Sequence, residues 1–211
     1  MKFKNRDLNL YLVTDRSWLG ARTLESDVEC ALKNGVSFLQ LREKAVDDPT
    51  FLEYALSMKA LAEKYRVPFV INDNVAIALE SNADGVHIGQ SDMPVAQVRE
   101  KIGVNKILGV SVRTVAEALD AEEKGADYLG VGAVFSTSTK LDAADVTYEE
   151  LTRICQAVAI PVVAIGGIHG GNVEQLKGSG IFGVAVVSAI LAQKDISEAT
   201  STLSKLCQAI F

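Results

Sequence analysis

The polar residues best suited to chemistry close a single apolar run. Residues 35–39 are followed by Gln40-Leu41-Arg42-Glu43-Lys44. In an extended strand alternate side chains share a face, so Gln40, Arg42 and Lys44 would point to one side. Leu39 and Leu41 would point to the other. In a parallel sheet covered by helices both faces are apolar, and an unpaired buried cation is costly. We therefore expect an anion to meet Arg42 and Lys44; the alternative is a half-exposed strand with solvated charges.

Two carboxylates follow the next two apolar runs. Asp73 comes after residues 68–71 and Asp92 after residues 85–88. If these runs are neighbouring strands, the carboxylates can converge beside the cations. Magnesium takes one or two carboxylates and completes its shell with water and phosphate oxygens, so this set predicts a magnesium site that shares a diphosphate. The alternative is that each Asp caps the helix that follows it.

A second anion site is predicted from glycines. Ala164-Ile165-Gly166-Gly167-Ile168 and Val186-Val187-Ser188-Ala189 end the last two apolar runs. Glycines let a ligand approach the backbone, and amides at a helix start bind phosphate, commonly after strands seven and eight of a barrel. A tight structural turn is the alternative for the glycine pair. Two anion sites would mean two phosphorylated substrates.

The histidines and cysteines predict neither zinc nor nucleophilic catalysis. His87 lies inside an apolar run, which is typical of a hydrogen-bonded core or rim residue, and His169 follows the glycine pair and should be peripheral. Cys30, Cys155 and Cys207 are far apart and form no CxxC motif. No zinc spacing and no Cys/His pair is present. We interpret the cysteines as reduced residues of a cytosolic protein.

These residues need elements to position them, and a helix-to-strand rhythm recurs along the chain. The predicted strands are Leu8–Val13, Val36–Leu41, Pro68–Ile71, Gly85–Ile88, Ile107–Val110, Tyr128–Val131, Val162–Ile165 and Phe182–Val186. The predicted helices are Leu24–Lys33, Pro49–Tyr65, Val75–Glu80, Pro94–Lys101, Thr114–Glu123, Thr147–Val158, Gly171–Lys177 and Ile196–Ala209. Thr114, Thr147 and Ser197 should be N-caps or first-turn residues.

Eight alternating units in 211 residues predict an α/β fold, a closed (β/α)8 TIM barrel, as a single domain over residues 1–211. A doubly wound open sheet is the alternative, but it usually carries a Gly-rich fingerprint after its first strand, where this chain has Thr14-Asp15-Arg16. The barrel would place the polar strand ends on one rim: Gln40, Arg42, Lys44, Asn72, Asp73, Gln90, Asp92, Ser111, Thr137, Thr139, Lys140, Gly166, Gly167 and Ser188. The long connections 14–23 and 132–146 should be functional loops or lids.

Composition argues against two classes of binding partner. The formal net charge is -6 and no block of basic residues occurs, which argues against nucleic acid or an anionic membrane surface. The apolar stretch near the start, residues 8–13, is too short for a signal peptide or a membrane span. A small anionic substrate and a cytoplasmic location are therefore expected, and a homo-oligomer is left open.

Seven blocks in order along the chain resemble the signature blocks of the thiamine phosphate synthase family. They are Gln40-Leu41-Arg42-Glu43-Lys44, Ile71-Asn72-Asp73, Gly85-Val86-His87-Ile88-Gly89-Gln90-Ser91-Asp92, Gly109-Val110-Ser111-Val112, Phe135-Ser136-Thr137-Ser138-Thr139-Lys140, Ala164-Ile165-Gly166-Gly167-Ile168 and Val187-Ser188-Ala189-Ile190. Any one block alone would be weak evidence. Together they are highly specific.

The resemblance implies a (β/α)8 transferase of thiamine biosynthesis. It would join hydroxymethylpyrimidine diphosphate to hydroxyethylthiazole phosphate with Mg²⁺, and diphosphate would leave before the thiazole nitrogen attacks. It assigns the pyrimidine diphosphate to Gln40, Arg42, Lys44, Asn72, Ser111 and Lys140, of which Arg42, Lys44, Ser111 and Lys140 would be catalytic. It assigns magnesium to Asp73 and Asp92, and the thiazole phosphate to Thr137, Thr139, Gly167, Val187 and Ser188.

One departure and two rival functions stay open. Family members commonly have prolines where this chain has Ala133 and Ser136, so the loop after strand six should be looser. A thiazole tautomerase on the same barrel is one rival, although it would not need a magnesium and diphosphate cluster. A non-catalytic barrel that binds a thiazole or thiamine phosphate is the other.

Overall fold

Eight parallel strands close into a barrel in the computed structural model, which describes residues 3–136 and 146–211. The strands are β1 Leu10–Val13, β2 Phe38–Leu41, β3 Phe69–Asn72, β4 Gly85–Ile88, β5 Ile107–Val112, β6 Tyr128–Val131, β7 Val162–Ile165 and β8 Gly183–Val186. Each pairs with the next, and β1 pairs with β8 as well as with β2. That last pairing confirms the barrel and excludes the open sheet.

Helices cover the outside of the barrel. Within the described ranges they are α1 Leu24–Lys33, α2 Asp48–Tyr65, α3 Val75–Glu80, α4 Val95–Ile102, α5 Val115–Glu123, α6 Tyr148–Ala157, α7 Ser188–Leu191 and α8 Ile196–Ile210. Thr114 and Thr147 cap α5 and α6 through their side chains, as predicted. Asp195 caps α8, so Ser197 lies in the first turn. None of the described helices is long and apolar enough to cross a bilayer.

One helix prediction, after β7, was wrong, and a short helix after β8 was not predicted. The predicted helix over 171–177 is a single 3₁₀ turn, Val173–Leu176. Gly171 and Gly178 bracket this segment, which leaves too few good helix formers to meet the cost of nucleating an α-helix. The four-residue helix α7 was not predicted, because a segment of that length is too short to show a 3.6-residue period.

The core has two layers, separated by the barrel wall. Leu39 and Leu41 of β2 face outward and pack in the large cluster under the helices. Phe38 faces inward and packs with Tyr11 and Tyr128 in the cluster that fills the barrel. This alternation puts Gln40 on the inward face, as the strand period predicted.

Glycines permit the closest strand contacts, and one of them gives a prediction about stability. A Cβ at Gly85 in β4 would lie 2.0 Å from the carbonyl oxygen of Ile107, which belongs to the neighbouring backbone and cannot move aside. Gly85→Ala should therefore lower the free energy of unfolding by about 1–3 kcal/mol, the usual cost of overpacking. Urea denaturation measures this change.

Gly170→Ala is the matched control for that experiment. Its Cβ would meet Leu206 at an ordinary 3.6 Å, so we expect the free energy of unfolding to change by at most about 0.5 kcal/mol. Equal stability of the two variants would contradict the packing argument for β4 and β5.

Candidate active site

A cavity of about 390 Å³ opens at the carboxyl end of the barrel strands. The residues predicted to bind substrate or metal that fall in the described ranges all line it: Gln40, Arg42, Lys44, Asn72, Asp73, Asp92, Ser111, Gly167, Val187 and Ser188. Gln90 and Gly166 also line it. Thr137, Thr139 and Lys140 lie outside the described residues. The rim predicted from the topology is therefore one continuous cavity wall in the described part of the chain.

The two cations that follow β2 already have carboxylate partners. Nη1 of Arg42 lies 3.2 Å from Oδ2 of Asp15, and Nζ of Lys44 lies 3.2 Å from Oδ2 of Asp73. The Lys44 side chain is 57% exposed. The sequence predicted that an anion would meet these two cations, and protein carboxylates do so here; the strand pattern could not show a loop carboxylate such as Asp15. Both side chains nevertheless line the cavity, where an anion can reach them.

The carboxylates of Asp73 and Asp92 converge, as predicted. Burial raises the pKa of Asp92, and the hydrogen bond and negative charge of Asp73 raise that pKa further. A backbone N–H of Gly89 donates to Oδ2 of Asp92 at 2.7 Å and fixes its orientation. Two carboxylates so close together repel each other when both are ionised, and a cation bound between them would relieve this repulsion.

Neither carboxylate caps a helix, so the capping alternative is wrong. Asn74 is the N-cap of α3, and its side chain accepts from the N–H of Ile77. The N-cap position of α4 is Pro94, which makes no side-chain cap. Asp73 and Asp92 are therefore left to face the cavity.

Asp73 adopts a backbone conformation that is uncommon outside glycine. Its φ angle is +63°, in the left-handed region, where Asp and Asn are tolerated better than most residues. Its N–H donates to the carbonyl of His87 on β4 at 2.8 Å, which holds the residue in place. Strain of this kind clusters at functional sites, because the surrounding structure must maintain it.

The donor set fits magnesium. Among residues 3–136 and 146–211, no three or more His, Cys, Asp and Glu side chains are grouped so that they could hold a metal ion by themselves. Two carboxylates alone suit an ion that keeps several waters and takes phosphate oxygens from a ligand. They do not suit structural zinc, which takes four protein ligands.

The opposite wall of the cavity is made by the glycine pair and α7. A Cβ at Gly166 would lie 2.5 Å from Cβ of Ala133, and one at Gly167 would lie 2.6 Å from the carbonyl oxygen of Ser136. Both glycines have positive φ angles, +102° and +64°. The glycines therefore serve a tight contact with the loop after β6 and also keep the cavity wall free of side chains. Ser188 begins α7 beside them, and the N–H groups of Ile190 and Leu191 donate to the carbonyl of Val187.

The loop after β6 is held to β7 at its start. The N–H of Val134 donates to the carbonyl of Ile165 at 3.0 Å, and the N–H of Phe135 donates to that of Gly166 at 3.1 Å. These bonds lie next to Ala133, one of the two positions where the family commonly has proline. The looser loop after β6 stays a prediction, since residues 137–145 lie outside the described structure.

The loop after β1, residues 14–23, packs onto the rim through ion pairs, and its functional role stays a prediction. Arg16 pairs with Glu43 at 2.6 Å, and its guanidinium lies 3.8 Å from the ring centre of Tyr54. Asp15 pairs with Arg42, as described above. Arg42 and Glu43, which follow β2, thus both form ion pairs with residues of this loop.

The sequence reasoning missed a polar chain across the barrel floor. Nε2 of Gln40 donates to the hydroxyl of Tyr11 at 2.5 Å, and the hydroxyls of Tyr11 and Tyr128 are 2.9 Å apart. Nδ1 of His87 lies 2.9 Å from the Tyr128 hydroxyl, and Nε2 lies 2.9 Å from Oγ of Ser111. His87 is a hydrogen-bonded core residue, as predicted, and His169 is exposed. A tyrosine on the inward face of a strand was the available signal for Tyr11.

Comparisons with known proteins agree with this geometry. Residues 10–190 match the sequence profile of the family described as Thiamine monophosphate synthase. The chain is 52% identical over 200 residues to the thiamine-phosphate synthase of Ruminiclostridium cellulolyticum, covering 95% of each chain. It is 50% identical over 204 residues to that of Clostridium tetani, covering 97% of this chain and 98% of the other.

A solved structure gives the same answer for the fold and the family. Thiamine phosphate pyrophosphorylase from Pyrococcus furiosus superposes with a TM-score of 0.91 at 38% identity, covering 98% of each chain. The profile match spans all eight strands and the rim residues of the described cavity. The chain therefore belongs to the thiamine monophosphate synthase family.

Proposed function

We propose that this protein joins hydroxymethylpyrimidine diphosphate to hydroxyethylthiazole phosphate, forming thiamine phosphate and diphosphate. Family membership supports the reaction class, since the relatives named above are thiamine-phosphate synthases. The observation that carries the proposal is one cavity with cations and paired carboxylates on one wall and glycines with Ser188 on the other. Such a cavity suits two phosphorylated substrates that must meet.

Each wall has a proposed ligand. The pyrimidine diphosphate would be held by Gln40, Arg42, Lys44, Asn72 and Ser111, together with Lys140. Asp73 and Asp92 would hold Mg²⁺, which when bound would supply positive charge to the leaving diphosphate. Gly167, Val187 and Ser188, together with Thr137 and Thr139, would hold the thiazole phosphate.

The chemistry asks for charge stabilisation and alignment from the protein. The bond between the pyrimidine methylene carbon and the diphosphate oxygen breaks, and both electrons leave with the oxygen. Arg42 and Lys44 meet the negative charge that develops there. The lone pair of the thiazole nitrogen then forms the new carbon–nitrogen bond. No proton has to move, so the site needs neither a general base nor an activated nucleophile.

Binding of both substrates on facing walls provides the alignment. The thiazole phosphate held at Gly167 and Ser188 would place the ring across the cavity from the departing diphosphate. Fixing two reactants in this way converts a bimolecular step into an effectively unimolecular one. The cavity of about 390 Å³ is of the size typical for small-ligand sites.

A reducing compartment suits this protein. Cys30, Cys155 and Cys207 are all unpaired and lie in α1, α6 and α8. Burial raises the pKa of Cys155 to about 11 and that of Cys207 to about 12, so both stay thiols. These features support the cytoplasmic location predicted from the sequence.

A reconstitution assay tests the proposal. Purified protein is given both substrates and Mg²⁺, and thiamine phosphate and diphosphate are followed together; we expect them to form in equal amounts. A parallel reaction contains only the tautomer of the thiazole carboxylate phosphate. Isomerisation there without condensation would identify a tautomerase instead, and ligand binding without diphosphate release would identify a non-catalytic binding barrel.

A further inference from the structure

The polar chain across the barrel floor joins two residues of the proposed diphosphate wall. It runs from Gln40 through Tyr11, Tyr128 and His87 to Ser111, with contacts of 2.5 to 2.9 Å. Tyr11 and Tyr128 are 1% and 0% exposed. A buried hydroxyl that lacks an acceptor for its proton is costly, so the order of donors and acceptors along this chain is constrained.

The order is set at the Gln40 end. The amide nitrogen of Gln40 can only donate, so the Tyr11 oxygen accepts and the Tyr11 proton is free to go to Tyr128. Tyr128 then directs its own proton to Nδ1 of His87. Burial raises the pKa of both phenols well above the usual range, so each keeps one proton to donate.

The opposite order of donors and acceptors leaves the hydroxyl proton of Tyr11 without an acceptor. If His87 donated from Nδ1 to Tyr128, Tyr128 would donate to Tyr11, whose oxygen would then face two donors. The Tyr11 proton would have no acceptor among its partners in the described structure. Nε2 of His87 would in addition accept from Ser111, which would use up the only hydroxyl proton of Ser111.

We propose that His87 is a positioning residue that makes Ser111 a hydrogen-bond donor to the bound diphosphate. In this proposal Tyr128 holds His87 as the neutral tautomer with its proton on Nε2. Nε2–H of His87 donates to Oγ of Ser111, so the Ser111 hydroxyl proton points away from the histidine. Ser111 lines the cavity, where an anion would accept that proton. The identity of the ligand rests on the proposed function, but the tautomer of His87 does not.

Space around the ring supports this role. A Cβ at Gly109 would lie 2.4 Å from Nδ1 of His87 and 2.3 Å from the Tyr128 hydroxyl. A Cβ at Gly130 would lie 3.2 Å from Cε1 of the same ring. The imidazole thus fits between two strand glycines, and its orientation is fixed by packing as well as by hydrogen bonds.

Nitrogen-15 NMR of the histidine rings tests the tautomer directly. The sequence has two histidines, so a spectrum of His169→Gln leaves the signal of His87 alone. We expect Nδ1 to have the shift of an unprotonated nitrogen and Nε2 that of a protonated one, with Tyr128→Phe relaxing this preference. A protonated Nδ1 in the neutral ring would overturn the inference. This result is independent of turnover, so it is separable from a failure of the reconstitution assay.

Two substitutions at His87 test the action on Ser111. The side-chain nitrogen of Gln can occupy the place of Nε2 and donate to Ser111, whereas Asn is too short to reach it. We expect His87→Asn to lower kcat/KM for the pyrimidine diphosphate about tenfold to a hundredfold and His87→Gln to retain most of it. The KM for the thiazole phosphate should not change. Equal losses in the two variants would contradict the donor role.

A double variant shows whether His87 acts through Ser111. In a Ser111→Ala background, His87→Asn should cause little further loss, both in turnover and in the binding of inorganic diphosphate with Mg²⁺. Additive losses would overturn the inference. Tyr65→Phe is the matched control, because it removes a phenol that donates to Glu29 on the outer surface, and it should leave both measurements unchanged.

Discussion

Replacing Arg42 with alanine should lower kcat for thiamine phosphate formation by about a hundredfold to a thousandfold, the usual loss when one donor to a developing charge is removed. Arg42 lies at the end of β2 and lines the cavity, and its backbone N–H donates to Oγ1 of Thr14 at 2.9 Å. Asp15 takes only part of its guanidinium fork, which carries five N–H donors. Steady-state kinetics with both substrates measures the loss.

A loss of stability must be separated from this effect. The Arg42 side chain is 25% exposed and its partner Asp15 is 14% exposed, so the pair is partly buried, and urea denaturation of Arg42→Ala measures what its loss costs the fold. Arg42→Lys keeps the charge but not the planar fork, so we expect an intermediate kcat. Arg6→Ala, an exposed arginine before β1 at the other end of the barrel, is the charge-matched control and should behave as wild type. Near-normal kcat in Arg42→Ala would contradict the assignment.

The barrel could be predicted because the starts of several strands are marked in the sequence. β4, β6 and β7 have the predicted bounds, since a glycine, a turn or a proline precedes each apolar run. β2 was predicted to begin at Val36, but the N–H of Val36 donates to the carbonyl of Ala31 and closes α1. Hydrophobicity cannot distinguish a residue that ends a helix from one that begins a strand.

The residues that share the rim could be predicted from the topology, whereas the contacts between individual side chains could not. Once the strands are parallel and closed, Asp73 and Asp92 must share an edge, and the structure brings them together. Tyr11 and Tyr128 are 117 positions apart, and their contact depends on the cross-section of the barrel. The pairing of Arg42 with Asp15 depends on how the loop after β1 folds back. Neither contact leaves a periodic signal in the sequence.

The carboxylate pair gives the second large effect. Asp92→Asn should lower kcat/KM for the pyrimidine diphosphate by about a hundredfold or more and weaken the Mg²⁺-dependent binding of inorganic diphosphate. Asn has the same shape and can still accept from the N–H of Gly89, so the loop should keep its conformation. The loss would come from the missing negative charge. Isothermal titration calorimetry with diphosphate, with and without Mg²⁺, separates metal binding from turnover.

Asp73→Asn makes the same test at the second carboxylate, with a further reason for the fold to survive. Asn tolerates the left-handed conformation that Asp73 adopts at φ +63°, so the backbone can stay in place. Asp120→Asn on the exposed surface of α5 removes one charge at a residue that does not line the cavity and should change neither binding nor kcat/KM. Because the two carboxylates would share one ion, the double variant should lose little more than either single variant. Diphosphate binding that stays magnesium-dependent in the double variant would place the metal elsewhere and reject Asp73 and Asp92 as its ligands.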